Sequence, residues 1–418
     1  MNYDTVVIGA GLAGLTAALR LADEGERVLL VAKGVGSTHL APATIDVLGF
    51  DPGRVESPAQ ALPAFAAANP DHPYARLSSG LIAASLDWLK ARLSMLGYQG
   101  GLDENLLLPT AVGAAKPSAL APETMAAGDL RVGGRFVFVG LGMKDFYAGY
   151  LADNLAETRP NGQVVSARAL EASPPVTGEA DRTSAGFARL FEQPGFVEAL
   201  VHELAGKFER DERVGFPAVL GRARAGEVWR ELEARLERPV FEVATLPPSL
   251  PGIRLYEAMT AALRKAGGRI HVGEPAVGAE TASGRVEAVV TQPAGRRATY
   301  RARSFVLATG GFASGGLDVD SYGKVSERVF DLPLTGAPDP GSPRFLPDYF
   351  DEHPLNRVGV AVDDRLRPVD ADGRPIYENL HASGAALAGA LPWREASGNG
   401  LSLATGYAAA AAILERAS

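Results

Sequence analysis

The sequence predicts a mixed α/β protein in which a βαβ-based domain is interrupted by a second, inserted α/β domain. Three stretches of the 418-residue chain carry this prediction. They are a strand–glycine–helix–strand unit at residues 4–34, a strand meander ending in a glycine pair at residues 269–312, and a glycine turn before an Ala-rich helix at residues 379–414. Residues 101–251 follow a separate strand–helix rhythm, which is typical of an independent α/β layer.

The first unit reads DTVVIGAGLAGLTAALRLADEGERVLLVAKG, from Asp4 to Gly34. A short apolar strand precedes glycines spaced as G-x-G-x-x-G, and an apolar helix then leads into a second apolar strand. The first glycine permits a tight turn, the second lets the backbone approach a pyrophosphate, and the third lets helix and strand pack closely. These glycines are Gly9, Gly11 and Gly14. The unit predicts a Rossmann-like nucleotide site rather than a secretory signal, because it has no basic flank.

The composition excludes several classes of protein. With 41 basic and 49 acidic residues the net charge is −8, which argues against nucleic-acid binding and against a polybasic membrane patch. The absence of cysteine excludes disulfides, thiol catalysis and a thiolate-held iron–sulfur cluster in this chain. The apolar run at residues 400–414 is too short for a membrane span. We therefore expect a soluble, cytoplasmic protein.

The second stretch, residues 269–312, contains four alternating apolar runs separated by glycine-containing and polar turns. This pattern predicts a meander of antiparallel strands. The last strand leads into Thr309, Gly310 and Gly311, which we expect at the end of a buried strand.

The third stretch combines a short strand, a turn at Gly384, a loop and a long Ala-rich helix. Gly398 and Gly400 are predicted to precede that helix, so its N-terminus could face an anionic or carbonyl group. Packing of the Ala-rich face in the core is a second interpretation, and the two are compatible.

The order of these three stretches resembles the flavoproteins of the fumarate reductase and aspartate oxidase type. The segment GSTHLAPATIDVL, residues 36–48, supports the resemblance, because such proteins carry a hydroxyl- and glycine-rich loop against the flavin. The resemblance implies an FAD/NAD(P)-binding flavoprotein fold and a flavin cofactor. The cofactor-binding residues it implies, together with the glycine fingerprint, are Gly9, Gly11, Gly14, Lys33, Ser37, Thr38, Thr309, Gly310, Gly384, Gly398 and Gly400.

A narrower resemblance covers nearly the whole chain. The segments NPDHPY (69–74), TLPPSLPGIRL (245–255), ATGGFASGGL (308–317) and ENLHASGAALAG (378–389) resemble the B-type subunit of anaerobic glycerol-3-phosphate dehydrogenase. The family implies FMN as the flavin and oxidation of sn-glycerol 3-phosphate to glycerone phosphate. It also implies a second flavoprotein subunit and a membrane-associated iron–sulfur subunit that passes electrons to a quinone. The chain would then be peripheral at the inner face of the membrane.

One feature departs from the usual fingerprint. The second strand ends in Ala32 and Lys33, where an acidic residue usually binds the adenosine ribose. Either Lys33 pairs with a phosphate of FAD, or the adenosine half is not held and the smaller FMN binds near the later glycine loops. The departure weakens the case for FAD, so FMN is preferred and FAD is the alternative.

The predicted domains are a discontinuous flavin-binding domain at residues 1–100 and 252–418 and an inserted substrate or cap domain at 101–251. Within the inserted domain, the loop at residues 140–142 precedes a helix expected to begin near Asp145. Either this glycine loop binds phosphate, or Asp145 simply caps the helix.

Oxidation of a phosphorylated polyol by a flavin needs a base for the hydroxyl proton and a cation for the phosphate. Arg254 follows proline and glycine at a predicted helix start, so it is the candidate for phosphate, with a surface salt bridge as the alternative. His72 and His381 are the candidate bases, and His39 beside the flavin loop is a third. No histidine has companions at metal-ligand spacing, so no metal site is predicted.

Three functions stay open at this point. The first is a catalytic flavoprotein subunit of glycerol-3-phosphate dehydrogenase. The second is a non-catalytic flavin electron-transfer or assembly subunit, because no convincing acid–base pair is evident. The third is another flavin oxidoreductase related to fumarate reductase.

Overall fold

The computed structural model of the chain describes residues 3–159, 165–174, 182–339 and 341–417. The strands are Tyr3–Ile8 (β1), Val28–Ala32 (β2), Phe50–Asp51 (β3), Gly53–Arg54 (β4), Gln99–Gly100 (β5), Leu106–Pro109 (β6), Ala115–Ser118 (β7), Leu120–Ala121 (β8), Arg135–Gly140 (β9), Ser166–Glu171 (β10), Glu212–Pro217 (β11), Val240–Val243 (β12), Arg269–Val272 (β13), Ala276–Ala282 (β14), Arg285–Thr291 (β15), Ala298–Leu307 (β16), Leu317–Val319 (β17), Val325–Glu327 (β18) and Leu380–Ala382 (β19). The helices are Leu12–Asp23 (α1), Pro58–Ala68 (α2), Ser79–Arg92 (α3), Glu123–Ala126 (α4), Ala148–Thr158 (α5), Ser184–Phe191 (α6), Phe196–Leu204 (α7), Ala225–Leu236 (α8), Leu250–Lys265 (α9), Pro392–Glu395 (α10) and Gly398–Ala417 (α11).

The main sheet contains the predicted βαβ unit at its centre. Strands β13, β2, β1 and β16 lie side by side and run parallel, and β19 pairs in parallel with the end of β16. In the register, Val6 lies opposite both Leu29 and Phe305. Both β1 and β2 are buried along their whole length, which explains why residues 6–8 and 28–32 are runs of apolar residues instead of an alternating pattern. Helix α1 packs against α11 and α9.

The prediction of a four-stranded antiparallel meander is wrong for its first strand. Strands β14, β15 and β16 form the antiparallel part, whereas β13 pairs in parallel with β2 at the edge of the main sheet. Because β13 directly follows α9, it is the return strand of a helical crossover, and such strands join a sheet in parallel. Alternating polarity alone does not distinguish these two pairings.

A second sheet lies in the segment predicted to be the inserted domain. Strands β10, β9, β11 and β12 are all parallel and adjacent in that order. A separate hydrophobic core, drawn from residues between Leu107 and Val243, packs on this sheet around Phe138, Phe216 and Phe241. The boundaries 101 and 251 remain a prediction.

The helix expected near Asp145 begins three residues later, at Ala148. Phe146 is buried in the preceding loop, and Tyr147 occupies the N-cap position. Asp145 therefore does not cap this helix. The buried Phe146 side chain belongs to the loop and not to the helix. The glycine spacing does not predict this later start of the helix.

Candidate functional site

The candidate site lies where three loops meet at the carboxyl edge of the main sheet. These loops follow β1, β16 and β19. They are joined by backbone hydrogen bonds, with the Ala308 N–H donating to the Ile8 carbonyl at 2.8 Å and the Ser383 N–H donating to the Leu307 carbonyl at 2.9 Å. Ligands of open parallel sheets bind at this edge.

The three fingerprint glycines differ in what surrounds them. Gly9 has φ +118°, and a Cβ atom on it would lie 2.2 Å from the Ala308 carbonyl oxygen. A Cβ atom on Gly14 would lie 2.0 Å from the Gly9 carbonyl oxygen, so this glycine allows α1 to approach β1. Gly11 has nothing within 4 Å of its Cβ position. The loop is therefore packed at two glycines and open at the third, the one predicted to face a pyrophosphate.

The N-terminus of α1 is available to an anion. Gly11 is the N-cap residue and makes no side-chain capping bond, and the first turn contains no acidic residue. The first N–H groups of a helix lack partners within the helix, and the helix dipole places partial positive charge there. A phosphate on the open face of Gly11 would receive both contributions.

Three buried hydroxyl oxygens near this edge have no hydrogen-bond partner among the described residues. They belong to Thr38, Thr309 and Ser383. Thr38 and Ser383 are almost completely buried. Leaving a buried hydroxyl without a partner costs about 1–3 kcal/mol. The residues therefore fit a polar ligand such as a flavin, whose polar atoms would complete these bonds.

The loop that carries Thr38 and the exposed Ser37 is held by the start of α9. A Cβ atom on Gly252 would lie 2.1 Å from the Thr38 carbonyl oxygen, and the Ser249 N–H donates to the His39 carbonyl at 2.7 Å. The His39 ring packs edge-on against Tyr256, with ring centroids 4.7 Å apart. Its buried Nε2 atom has no partner within the part of the chain that the structure describes.

His39 is electrostatically suited to accept a proton. Burial lowers the pKa of His39 below 6.5, Glu257 partly opposes that shift, and Arg222 adds to it. The ring is therefore neutral at pH 7. A neutral imidazole with an unpartnered nitrogen is the arrangement that a general base requires.

Lys33 extends toward the loop that contains Gly315. The side chain starts at the end of β2, and its Nζ lies 3.8 Å from the Cβ position of Gly315, which follows β16. The ammonium group therefore lies beside the loop that follows β16. No carboxylate pairs with Lys33 in the described residues. Ala32 is buried, and its carbonyl accepts the Gly273 and Glu274 N–H groups at 2.9 Å.

The C-terminal glycines are placed partly as predicted. Gly384 has φ +71°, its N–H donates to Thr405 Oγ1 at 2.9 Å, and its Cβ position is 2.9 Å from the Ala13 methyl group of α1. Helix α11 begins at Gly398, so Gly398 and Gly400 lie in its first turn and do not precede it. The Gly400 N–H donates to the Asp46 carbonyl at 3.0 Å. Gly400 thus fastens α11 to the segment at residues 44–47, and its N–H is not available to a ligand.

His72 and His381 are both buried and bonded to protein. His72 Nδ1 accepts the Tyr74 N–H at 3.0 Å, and its Nε2–H donates to Glu395 at 3.3 Å. Both ring nitrogens of His72 are therefore engaged, which removes it as a base in this geometry. His381 is fully buried on β19, and its Nδ1–H donates to the Arg365 carbonyl at 2.7 Å. Neither ring reaches solvent.

Glu395 shows that the His72 contact is structural. Burial raises the pKa of Glu395, but the hydrogen bonds from His72, Leu391 and Ser397 outweigh burial and lower the pKa overall. The carboxylate joins the end of α10 to the loop at residues 69–74.

Arg254 forms a buried bridge from α9 to β12 and to the Gly221 carbonyl. Its NH1 and NH2 groups donate to the two carboxylate oxygens of Glu242 at 2.6 and 2.9 Å, and its Nε donates to the Gly221 carbonyl at 2.9 Å. This fork is satisfied by protein, so the predicted phosphate-binding role is corrected to a structural one. The ion pair of the alternative interpretation exists, but it is buried instead of lying on the surface.

The glycine loop at residues 140–142 also offers little to a phosphate. The Cβ position of Gly140 is 2.2 Å from a Glu171 carboxylate oxygen, and that of Gly142 is 2.2 Å from the Arg182 guanidinium. The carboxylate repels an anion and the guanidinium group attracts one, and both already fill the space beside these glycines.

Sequence reasoning missed a charged pair beside the site. Lys116 on β7 contacts Asp46 at 2.6 Å, and Ser118 donates to the same carboxylate at 2.6 Å. Ala43, just before this segment, has φ +64°, which is strained for a residue other than glycine. Ser118 and Asp46 are 72 positions apart, so no local pattern indicates this cluster.

Two absences hold for the described residues alone. No helix there combines the length and the apolarity that crossing a bilayer requires. No group of three or more histidine or acidic side chains is arranged there to hold a metal ion.

Comparison with known proteins defines the class first. Residues 4–401 match the FAD binding domain family, so the chain is a flavoprotein of the FAD-binding class and has the predicted fold. This match supports a flavin site of FAD type and does not support the preference for FMN. Among solved structures, the chain is similar to the 3-ketosteroid delta1-dehydrogenase from Sterolibacterium denitrificans. The alignment of the two covers 99% of this chain and 100% of that chain, with 14% sequence identity and a TM-score of 0.47.

The curated relatives then give the particular family. A probable B-type subunit of anaerobic glycerol-3-phosphate dehydrogenase from Halobacterium salinarum is 36% identical over 99% of this chain and 98% of its own length. The corresponding B-type subunit from Pectobacterium atrosepticum is 33% identical over 99% of both chains. The chain belongs to this family, the B-type subunits of anaerobic glycerol-3-phosphate dehydrogenase, and the predicted resemblance is confirmed.

Proposed function

We propose that this chain is a flavin-binding, catalytic subunit of an anaerobic glycerol-3-phosphate dehydrogenase that oxidises sn-glycerol 3-phosphate to glycerone phosphate. The observation that carries the proposal is the set of buried hydroxyls that lack a partner among the described residues, on the loops that follow β2, β16 and β19. Family membership over nearly the full length supplies the substrate class.

The chain's own residues have distinct tasks in this proposal. The Gly11 loop and the N-terminus of α1 would hold the phosphate part of the flavin, and Thr38, Thr309 and Ser383 would bond its polar atoms. A bound flavin would supply the acceptor for the hydride of the substrate carbinol. His39 would take the hydroxyl proton at Nε2, and its ring is held for this by Tyr256 and by the backbone bond to Ser249.

The experiment that tests the function is anaerobic reduction of the purified, flavin-loaded chain. Addition of sn-glycerol 3-phosphate should bleach the flavin absorbance. A flavin that stays oxidised until partner subunits are added would instead identify a non-catalytic electron-transfer or assembly subunit. Bleaching by a different donor, or reoxidation by fumarate alone, would identify another flavin oxidoreductase.

The His39→Gln substitution should slow this reduction about 100-fold or more, because a positioned general base contributes at least that much. The pKa of His39 is lowered, so the wild-type rate should be constant from neutral pH to below 6.5 and fall only in more acidic solution. In the variant, the reduction rate should no longer fall in acidic solution. Stopped-flow reduction across pH measures both effects, and His202→Gln is the matched control. A variant with an unchanged rate and pH profile would exclude His39 as the base.

The native cofactor is proposed to be FAD. The open Gly11 face and the ammonium group of Lys33, which lies beside Gly315 in the loop after β16, would together suit a diphosphate. Mass identification of the flavin released from purified protein tests this directly.

Lys33→Gln should weaken FAD binding about two- to fivefold, which corresponds to the loss of an exposed ion pair. FMN carries one phosphate fewer than FAD, so its affinity should fall less in the variant than the affinity for FAD. Titration of both flavins into apo-protein measures this, and Arg269→Gln on β13 serves as the control. Equal FAD affinities for Lys33→Gln and wild type would return FMN to first place as the native cofactor.

The proposal extends to a complex. Relatives of this chain are named as subunits. The partners proposed are a second flavoprotein subunit and an iron–sulfur subunit that anchors the complex at the inner face of the membrane and reduces a quinone. Because this chain has no cysteine, electrons cannot leave through an iron–sulfur relay of its own.

A further inference from the structure

An exposed loop at residues 341–353, here called the aromatic loop, presents large apolar side chains to solvent. Phe345, Tyr349 and Phe350 are 69%, 83% and 73% exposed, and Leu346 is 38% exposed. Three rings at this exposure present on the order of 400 Å² of surface. Patches of this size on single chains commonly mark interaction sites.

The aromatic loop is held in shape by its own polar groups. His353 Nδ1 accepts the Leu346 N–H at 3.0 Å, and its Nε2–H donates to the Tyr349 carbonyl at 3.2 Å. Asp348 accepts the Phe350 N–H at 2.9 Å. Because these polar groups bond within the loop, the rings are turned outward and are presented in a fixed arrangement.

The base of the aromatic loop is joined to the candidate site. Thr335 and Gly359 exchange two backbone hydrogen bonds, of 2.8 and 3.2 Å, which close the base. The next residue, Val360, donates its N–H to the Ala386 carbonyl at 2.8 Å. Ala386 belongs to the turn that begins at Gly384. A partner seated on the aromatic loop would therefore lie next to one of the three loops that form the site.

The charges around the rings indicate the chemistry of the partner. The aromatic loop contains Asp348, Asp351 and Glu352, and Arg344 is its one arginine or lysine. The Arg344 guanidinium lies against Gly323, and Glu352 pairs with Arg357. The exposed aspartates would be repelled by anionic lipid headgroups, whereas they complement a basic protein surface.

We propose that the aromatic loop is the docking surface for the iron–sulfur subunit of the dehydrogenase, through an apolar depression rimmed by lysine or arginine. The inference rests on the proposed function for the identity of that partner. The rings would form the desolvated centre of the interface, where aromatic side chains contribute most of the binding. The adjoining site would give electrons a short route to the partner.

The test measures binding of the flavin-loaded chain to the other dehydrogenase subunits of its host, produced without this chain. The double variant Tyr349→Ser, Phe350→Ser should raise Kd at least tenfold while leaving flavin content and melting temperature unchanged. The matched control is Tyr147→Ser, Tyr150→Ser, which removes two comparably exposed rings from the inserted domain. Unchanged affinity in the first variant, or an equal loss in the control, would overturn the proposal.

A second arm tests the charge of the partner. Asp351→Lys, which leaves the Asp348 bond to Phe350 in place, should also raise Kd, and tighter binding would contradict a basic rim. Vesicles of neutral and anionic phospholipids test the rival occupant, since binding that depends on Tyr349 and Phe350 would make the loop a lipid anchor. If the proposed function is wrong but the docking proposal is right, the complex should assemble and sn-glycerol 3-phosphate should not reduce it. A wild-type chain that binds none of these subunits would overturn the partner named here.

Discussion

Substitution of valine for Gly11 is expected to abolish flavin binding and to leave the apo-protein folded. The Cβ position of Gly11 has nothing within 4 Å, and its φ of −74° and ψ of 178° are accessible to valine. The branched side chain would therefore occupy only the space through which a pyrophosphate approaches the backbone. Flavin absorbance after reconstitution and the melting temperature of the apo-protein measure the two effects.

Gly14→Val is the matched control in the same loop. Its side chain would collide with the Gly9 carbonyl, which lies 2.0 Å from the Cβ position, so α1 could not pack on β1. This variant should lose about 3 kcal/mol of stability as well as the flavin. If Gly11→Val kept full flavin occupancy, the fingerprint loop would not contact the cofactor, and the proposed site would have to move toward Ser383.

The features that were predictable from sequence are those set by local sterics. The turn at Gly9 and the close approach at Gly14 depend on neighbours within one βαβ unit, and each is visible in the G-x-G-x-x-G spacing. The strand at β16 and the long helix α11 also follow from local apolar patterns. The polarity pattern did not reveal the pairing of β13, because the same alternation suits parallel and antiparallel edges.

The roles of the polar residues depended on partners distant in sequence. His72 bonds to Glu395, which is 323 positions away, and that bond makes an apparent base into a structural residue. The Asp46–Lys116 pair is hidden for the same reason. His39 stood out in the structure by the absence of such a partner among the described residues, and the sequence carries no signal for that difference.

Arg254→Met is expected to destabilise the protein by about 3–5 kcal/mol, the usual cost of breaking a buried ion pair. Glu242 is fully buried, and losing Arg254 would leave its charge with only the Thr124 hydroxyl and the Leu220 N–H as donors. Since α9 carries Arg254 and β12 carries Glu242, the loss should loosen the contact between this helix and this strand. Equilibrium unfolding in urea measures the free-energy change.

The exposed pair between Arg222 and Glu257 of α9 is the matched control, and Arg222→Met should cost less than about 1 kcal/mol. Adding Glu242→Gln to Arg254→Met removes the stranded charge and keeps an acceptor for the Leu220 N–H, so part of the stability should return. If the role of Arg254 is structural, the Arg254→Met protein that remains folded should have an unchanged KM for sn-glycerol 3-phosphate. A more than tenfold rise in KM at unaltered stability would instead return Arg254 to the phosphate-binding role, because only a guanidinium that releases Glu242 on substrate binding would behave that way.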